Sequence, residues 1–283
     1  MSTASARDYF RLYRVRDWVH FLPLPLAGWF SSSTHDPGAL IGGVLGWALA
    51  LAYTSAMNQA FDDRLDRAQP DKNPVGVLFN RRQAVLLALP AAAASIVVVA
   101  LLSRHCLEPL FVLLIAATLY SAPPRLKRVP VLGTLWNLVV GLPGLFLAGR
   151  PSNIPAAMKL FVGLFALLLI VSQLIHEAED REDDRVGGIA TVATLTGTRG
   201  ALAAAAVFLL VTPGAVWWLA RGLTARDWLT ACAALFAGVW TVMLVLRIGR
   251  ENSSALRLLR LRYRYSAFVL GAVVYLAVAQ VVP

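Results

Sequence analysis

The chain has 283 residues, 58% of them hydrophobic and only 15% charged, with a mean hydropathy of +0.64. Ordinary soluble domains carry about 25% charged residues, so a soluble globular protein is excluded and an integral membrane protein is indicated. The formal net charge of +10 does not argue for nucleic acid: the basic residues sit in short stretches between apolar runs, as membrane topology places them, and not in a binding stripe.

The opening stretch, Ser2 to Asp17, is polar and Arg-rich, and the apolar run after it lacks a small-residue cleavage site, so no cleaved signal peptide is expected. Residues 7–17 interleave Arg7, Arg11, Arg14 and Arg16 with Tyr9, Phe10, Leu12, Tyr13 and Val15. This predicts a short amphipathic helix at the membrane surface that offers an arginine to a phosphate. The first apolar run, 18–33, is short and holds Pro23 and Pro25, which predicts a kinked or partly unwound span, with a turn from Ser31 to Pro37.

Apolar runs follow at 38–61, 82–103, 107–122, 131–149, 157–178, 199–220, 227–248 and 262–282. Each is near the roughly 20 residues that cross a bilayer as a helix. With the first run they predict an all-α polytopic protein with nine membrane spans in a single domain, 1–283. If the N-terminus is cytoplasmic, 21 of the 26 lysines and arginines fall on the cytoplasmic side, in the sense of the positive-inside rule. Cys106 and Cys232 lie far apart, in or beside apolar segments, and predict neither a disulfide framework nor a cysteine metal site.

Two acidic clusters end apolar runs on that same side. In Asn58-Gln-Ala-Phe-Asp62-Asp63-Arg-Leu-Asp66, residues four apart stack on one helical face, so Asn58, Asp62 and Asp66 form a ledge of oxygens. Two carboxylates at that spacing suit Mg²⁺, which keeps several waters and completes its shell with substrate phosphate oxygens. The second cluster, Glu179-Asp180-Arg-Glu182-Asp183-Asp184, repeats the step at Asp180 and Asp184. Two facing ledges would clamp a diphosphate.

Ten of the sixteen carboxylates lie in these two stretches, counting Asp71 and Glu177, and a bound cation would relieve their mutual repulsion. Arg64, Arg67 and Lys72 beside the first cluster, and Arg181 and Arg185 within the second, pair with the acids or contact phosphate. A third stretch, Leu119-Tyr120-Ser-Ala-Pro123-Pro124-Arg125-Leu-Lys127-Arg128, ends a helix at two prolines. It presents Arg125, Lys127 and Arg128 on the same membrane side, and with Tyr120 it reads as a phosphate-gripping loop.

Taken together, the chain resembles the UbiA superfamily of intramembrane prenyltransferases over nearly its whole length. Asn58, Asp62 and Asp66 match that family's Asn-x3-Asp-x3-Asp motif. Tyr120, Ser121, Pro123, Pro124 and Lys127 match its Tyr-Ser-x-Pro-Pro-x-x-Lys loop. Asp180, Asp184, Gly188, Ile189 and Thr191 match its Asp-x3-Asp and Gly-Ile-x-Thr elements.

The resemblance implies nine transmembrane helices around a central lipid-accessible cavity with a cytoplasmic-side polar cap. It also implies a polyprenyl diphosphate held through two Mg²⁺ ions, one on Asn58, Asp62 and Asp66 and the other on Asp180 and Asp184. Lys127, with Tyr120, Arg67 or Lys72, would neutralise the leaving diphosphate, and the acceptor would be an aromatic or lipophilic molecule. Ionising an allylic carbon–oxygen bond needs that electrostatic help, and the carbocation then needs a dry chamber. Phe61, Trp136, Phe146, Phe161, Phe165 and Phe268 are candidates to line it.

Departures from the family pattern bear on the acceptor. Where many members carry an arginine before the proline, this chain reads Asp71-Lys72-Asn73-Pro74. Members that use 4-hydroxybenzoate often carry Asp-x-x-Tyr-Ala before the second motif, and here Gln173-Leu-Ile-His176-Glu177-Ala178 stands instead. This argues against that acceptor and makes His176 and Glu177 candidates to bind or deprotonate another. Asp62-Asp63-x-x-Asp66 also fits an Asp-Asp-x-x-Asp pattern, so a terpene cyclase is the alternative reading. An ion-coupled transporter is the third; acids at span ends, with no long repeat beyond the two motifs, count against it.

Overall fold

The computed structural model describes residues 5–62, 74–76, 78–149, 155–248 and 253–279. These are helices and short connections; among them the β-type pairing is an isolated bridge between Val75 and Phe79. The chain forms two compact units, residues 1–127 with 139–150, and residues 128–138 with 151–283.

The first unit opens with α1 (Ala6–Leu12), capped by Ser5, whose backbone N–H and hydroxyl both donate to Asp8 at 2.9 and 2.7 Å. These bonds hold the Asp8 carboxyl below its usual range. A second short helix, α2 (Val15–Trp18), follows, so the continuous helix expected over 7–17 is broken. Arg14 sits at φ +49°, a left-handed conformation costly for a non-glycine residue. The break is held from outside: Gln59 Nε2 donates to the carbonyls of Arg11 and Leu12 at 2.9 and 3.0 Å, satisfying acceptors that a helix end leaves open. Trp18 Nε1 donates to Tyr13 O at 2.6 Å from the other side.

A 3-10 turn, Val19–Phe21, leads to α3 (Pro25–Ser31), where Pro25 occupies the first turn and needs no N–H partner. The run 18–33 is thus partly unwound, as its prolines predict. Three long helices follow: α4 (Pro37–Asp62), α5 (Arg81–Leu102) and α6 (Leu107–Ser121). Asn80 starts α5 with a capping box, its Oδ1 accepting from Gln83 N and its N–H donating to Gln83 Oε1, both at 2.9 Å.

Small residues set the packing here. A Cβ on Gly46 of α4 would lie 2.3 Å from Val99 Cγ2 of α5, and one on Gly28 of α3 would lie 2.5 Å from the Gly149 carbonyl oxygen. Close backbone approach of this kind drives association where lipid is as apolar as the side chains.

In the second unit, α7 (Leu132–Gly141) begins; its last residues and the 3-10 turn Leu142–Phe146 belong to the first. Then come α8 (Ala156–Val186), α9 (Val192–Leu219), α10 (Arg226–Val245) and α11 (Ser253–Ala279). With 31 residues, α8 is about 46 Å long at 1.5 Å per residue. That exceeds the ~30 Å hydrocarbon core, so its acidic end reaches polar surroundings. Tyr263 of α11 is fully buried, donates to Leu168 O of α8 at 3.1 Å, and lies edge-on to Trp240 of α10 at 5.1 Å.

Large apolar side chains point outward, among them Leu86, Leu101, Ile115, Leu210, Leu235 and Val242, while Ala50, Ala60, Ala88, Ala117, Ala201 and Ala205 are buried. In water this would be inverted; in lipid it is the stable arrangement, and the protein is an integral membrane protein. Among the described residues five helices are long and apolar enough to cross a membrane, α4, α5, α8, α9 and α10. Of the other expected spans, the first run is broken and α6 has 15 residues. Leu132–Phe146 is a shorter apolar helix, and α11 carries Arg257, Arg260, Arg262 and Arg264.

Candidate active site

Asn58 and Asp62 of the first acidic motif lie on the last two described turns of α4. Two arginines bond main-chain carbonyls there. Arg81 Nε donates to Ala60 O at 3.1 Å, and Arg125 Nη2 donates to Phe61 O at 2.7 Å and to Asp62 Oδ1 at 3.1 Å. Cations are favoured at that end of a helix dipole. Arg125 reaches it because it follows Pro123 and Pro124 with φ +59°, turning the chain back after α6 ends at Ser121.

Two residues later Lys127 Nζ donates to Asn58 Oδ1 at 3.1 Å and to Asp62 Oδ1. Ser121 Oγ also donates to Asn58 Oδ1, at 3.4 Å. Asn58 and Asp62 therefore share a face, as their spacing predicts, and their oxygens converge on a cation. Gln59, next to Asn58 in sequence, points elsewhere and holds α1. Tyr120 is the penultimate residue of α6. Asp66, Arg67 and Lys72, with Asp63, Arg64 and Asp71, lie outside the described residues.

The second motif lies on the last two turns of α8, where Asp180 and Asp184 are both half-buried. His176, Glu179 and Asp180 bring one ligand atom each within 4.8 Å of one another, a donor set that could hold a metal ion. His176 Nδ1 is 3.4 Å from Asp180 Oδ2. Arg260 of α11 donates to His176 Nδ1, and its Nε is 2.9 Å from Glu179 Oε2.

The residues after Asp184 end one helix and begin the next. Gly188 adopts φ +63°, its N–H donates to Arg185 O at 3.3 Å, and Ile189 N–H donates to Asp184 O at 2.8 Å. That pair of bonds is the Schellman ending, which needs a left-handed residue where glycine carries no Cβ penalty. Thr191 then caps α9, accepting from Thr194 N at 3.2 Å and donating its own N–H to Thr194 Oγ1 at 2.7 Å. Gly-Ile-x-Thr is thus a helix-to-helix connector that fixes how α8 ends.

Glu177, expected at the acceptor, is buried in hydrogen bonds. Its Oε1 accepts from Thr134 Oγ1 of α7 at 2.6 Å and from Gln173 at 3.4 Å, and its Oε2 accepts from Val192 N at 3.0 Å. It ties α7, α8 and the start of α9 together. Of the aromatic candidates, Phe61 lies under Arg81 at 5.1 Å, Phe161 packs on Tyr275 at 4.4 Å, and Phe268 is exposed. Sequence reasoning missed Gln59, Thr134 and Arg260. For Arg260 the available signal is an arginine four residues before Arg264 in an apolar helix.

The model of the UbiA prenyltransferase family matches residues 21–274. The chain belongs to the UbiA prenyltransferase family. Its fold agrees with solved UbiA homologues. One from Archaeoglobus fulgidus, bound to GPP and Mg²⁺, superposes with a TM-score of 0.73 at 18% identity, covering 94% of this chain and 99% of that one. The same homologue bound to DMAPP and Mg²⁺ gives 0.72 at 19% identity with the same coverage.

Among curated proteins, a digeranylgeranylglyceryl phosphate synthase from Methanopyrus kandleri is 29% identical over 177 residues, 62% of this chain and 64% of that protein. The match thus spans just under two thirds of that relative's length.

Proposed function

We propose that the protein is a Mg²⁺-dependent intramembrane prenyltransferase that moves a polyprenyl group from its diphosphate to a lipophilic or aromatic acceptor. The observation that carries this is the convergence of Asn58, Asp62 and Lys127 at the end of α4, within a chain of the UbiA family. Support for a lipid acceptor comes from the synthase relative, and support for prenyl diphosphate and Mg²⁺ from the A. fulgidus homologues.

The donor sets fit the ion. Asn58 and Asp62 bring hard oxygens, the ligand type Mg²⁺ prefers, together around the Lys127 ammonium, and Asp66 follows four residues on in the sequence. Asp180 and Asp184 would hold a second ion. Mg²⁺ bound there would supply Lewis-acid stabilisation of the departing diphosphate. Lys127 adds a fixed positive charge where negative charge develops, and Tyr120, Arg67 and Lys72 are candidates to contact the phosphates.

The allylic C–O bond breaks with its electron pair leaving on the diphosphate. The acceptor's nucleophilic atom then bonds to the prenyl carbon and its proton is lost to base. His176 is the candidate to meet the acceptor near the second motif. In this reading nine spans in a single domain surround a lipid-accessible cavity, with the N-terminus and polar cap cytoplasmic.

Product analysis tests the reading. Purified protein with Mg²⁺, prenyl diphosphates of several lengths and a panel of phenolic, quinol and glycerophosphate lipid acceptors is analysed by mass spectrometry. An acceptor-dependent prenylated product, absent in Asp62→Ala and Asp180→Ala, is expected. A cyclic hydrocarbon or terpene alcohol formed without acceptor would move the assignment to a cyclase.

A further inference from the structure

Away from the acidic motifs, α9 and α10 meet at a turn that carries three tryptophans and two arginines. α9 starts just after the acidic end of α8 and runs 28 residues to Leu219, so its far end lies at the opposite membrane surface. Gly222, at φ +87°, helps turn the chain into α10. Trp217, Trp218 and Trp228 flank this turn and are between 41% and 58% exposed. Headgroup depth suits an indole, which has an apolar body and a polar N–H. Among the described residues none of these three indole N–H groups is hydrogen-bonded.

The arginines are held on the rings. The guanidinium carbon of Arg221 lies 3.5 Å from the Trp218 ring centre and 5.6 Å from that of Trp217, and the guanidinium carbon of Arg226 lies 4.5 Å from Trp217. Trp217 thus brings two positive charges together. A stacked ring covers the face of a guanidinium and leaves its edge N–H groups, which match phosphate oxygens in pairs. Asp227 takes Arg226 Nε at 3.3 Å, and it is the single carboxylate from Val192 to Arg247, so the turn keeps a net positive charge. Indole and guanidinium can only donate, so the matching ligand is an acceptor. Along α9 toward the bilayer centre, Val207, Leu210 and Val211 face outward at helical spacing with Trp218. Gly214, exposed among them, leaves open space where a Cβ would stand.

We infer that this turn binds the phosphate headgroup of an anionic phospholipid in the leaflet away from the acidic motifs, with an acyl chain lying along α9 past Gly214. The apolar stripe continuous with the arginines favours a lipid over a free phosphate. A zwitterionic headgroup would bring its own cation to two arginines, whereas an anionic one adds only the charge they lack. Basic residues at a membrane surface attract anionic lipid on this electrostatic ground.

The test is native mass spectrometry of the full chain, purified in detergent and titrated with dioleoyl phosphatidylglycerol or dioleoyl phosphatidylcholine, with glycerol phosphate as the anion without a tail. Wild type is compared with Arg221→Gln/Arg226→Gln and with Arg257→Gln/Arg262→Gln. The second pair removes two exposed arginines of α11 near Arg260, on the side of the acidic motifs. Thermal midpoints are measured alongside. Wild type is expected to hold one phosphatidylglycerol per chain about 10-fold or more tighter than phosphatidylcholine. Arg221→Gln/Arg226→Gln is expected to lose that preference and Arg257→Gln/Arg262→Gln to keep it.

A preference that is absent in wild type, or that survives in a folded Arg221→Gln/Arg226→Gln, would overturn the inference. A preference lost equally in the α11 variant would do the same, since it would report overall charge and not this turn. Displacement of the lipid by glycerol phosphate at comparable concentration would show a free-anion site and overturn the lipid assignment. If the double variant does not fold, Arg221→Gln alone is expected to lose part of the preference, and wild-type preference in it would overturn the inference.

Discussion

Lys127 and Asp62, 65 residues apart in sequence, form an ion pair at the end of α4, with Asn58 one turn earlier taking another of the lysine's hydrogen bonds. A loop charge is thereby fixed on the motif that gathers metal in the proposed reaction. Lys127→Met keeps the side-chain length and removes the charge. Loss of one such preorganised charge typically costs 10²–10³-fold in turnover. Steady-state prenyl transfer is expected to fall by about that factor with a thermal midpoint near wild type.

Arg125 binds both Phe61 O and Asp62 Oδ1. Arg125→Ala removes a charge-assisted bond to a half-buried carbonyl and is expected to cost about 1.5–3 kcal/mol of stability. Arg125→Gly loses the same bonds but relieves the left-handed backbone at φ +59°, which is worth about 1–2 kcal/mol. The glycine variant should therefore melt above the alanine variant in detergent, an order that side-chain loss alone does not give.

Glu177 accepts hydrogen bonds from three elements of its unit and is placed as an anchor. Glu177→Gln keeps an oxygen for Val192 N–H and an amide that Thr134 can accept from, so transfer should stay within a few-fold of wild type. Glu177→Ala strands the Val192 N–H and Thr134 hydroxyl at about 1–3 kcal/mol each and should lower the thermal midpoint markedly. Abolished turnover in a fully stable Glu177→Gln would instead make this carboxylate a participant in the chemistry.

Two glycines should respond differently to a methyl group. At Gly28 a Cβ would lie 2.5 and 2.6 Å from the carbonyl oxygens of Gly149 and Leu145, so backbone must move and Gly28→Ala should lose folded protein in expression trials. At Gly188 nothing lies within 4 Å, and Gly188→Ala meets only the cost of φ +63°, about 1 kcal/mol. It should fold with a modestly lower midpoint.

What was legible in the sequence is what depends on local spacing. The four-residue steps at Asn58 and Asp62 placed both on one face because a helix does so without help from its surroundings. Pro25 opened α3 and Pro123-Pro124 followed the end of α6, because proline lacks the N–H a helix interior needs. The break in the amphipathic helix at Arg14 was not legible, since it depends on Gln59 of another helix taking the carbonyls of Arg11 and Leu12. The part-buried contact of Arg260 with His176 spans 84 residues, and a basic residue near a span end looks the same whether it faces headgroups or a neighbouring helix. Long-range pairing of this kind leaves no periodicity to read.

The most direct test of the central claim is diphosphate release as a function of Mg²⁺, measured for wild type, Asp62→Asn and Asp180→Asn with a prenyl diphosphate and an accepted acceptor. Asparagine preserves shape and removes one charge from each motif in turn. The account predicts Mg²⁺-dependent, acceptor-stimulated release in wild type and a fall of at least 10²-fold in each variant. Release at the wild-type rate in either folded variant, or release that persists without divalent cations, would contradict it.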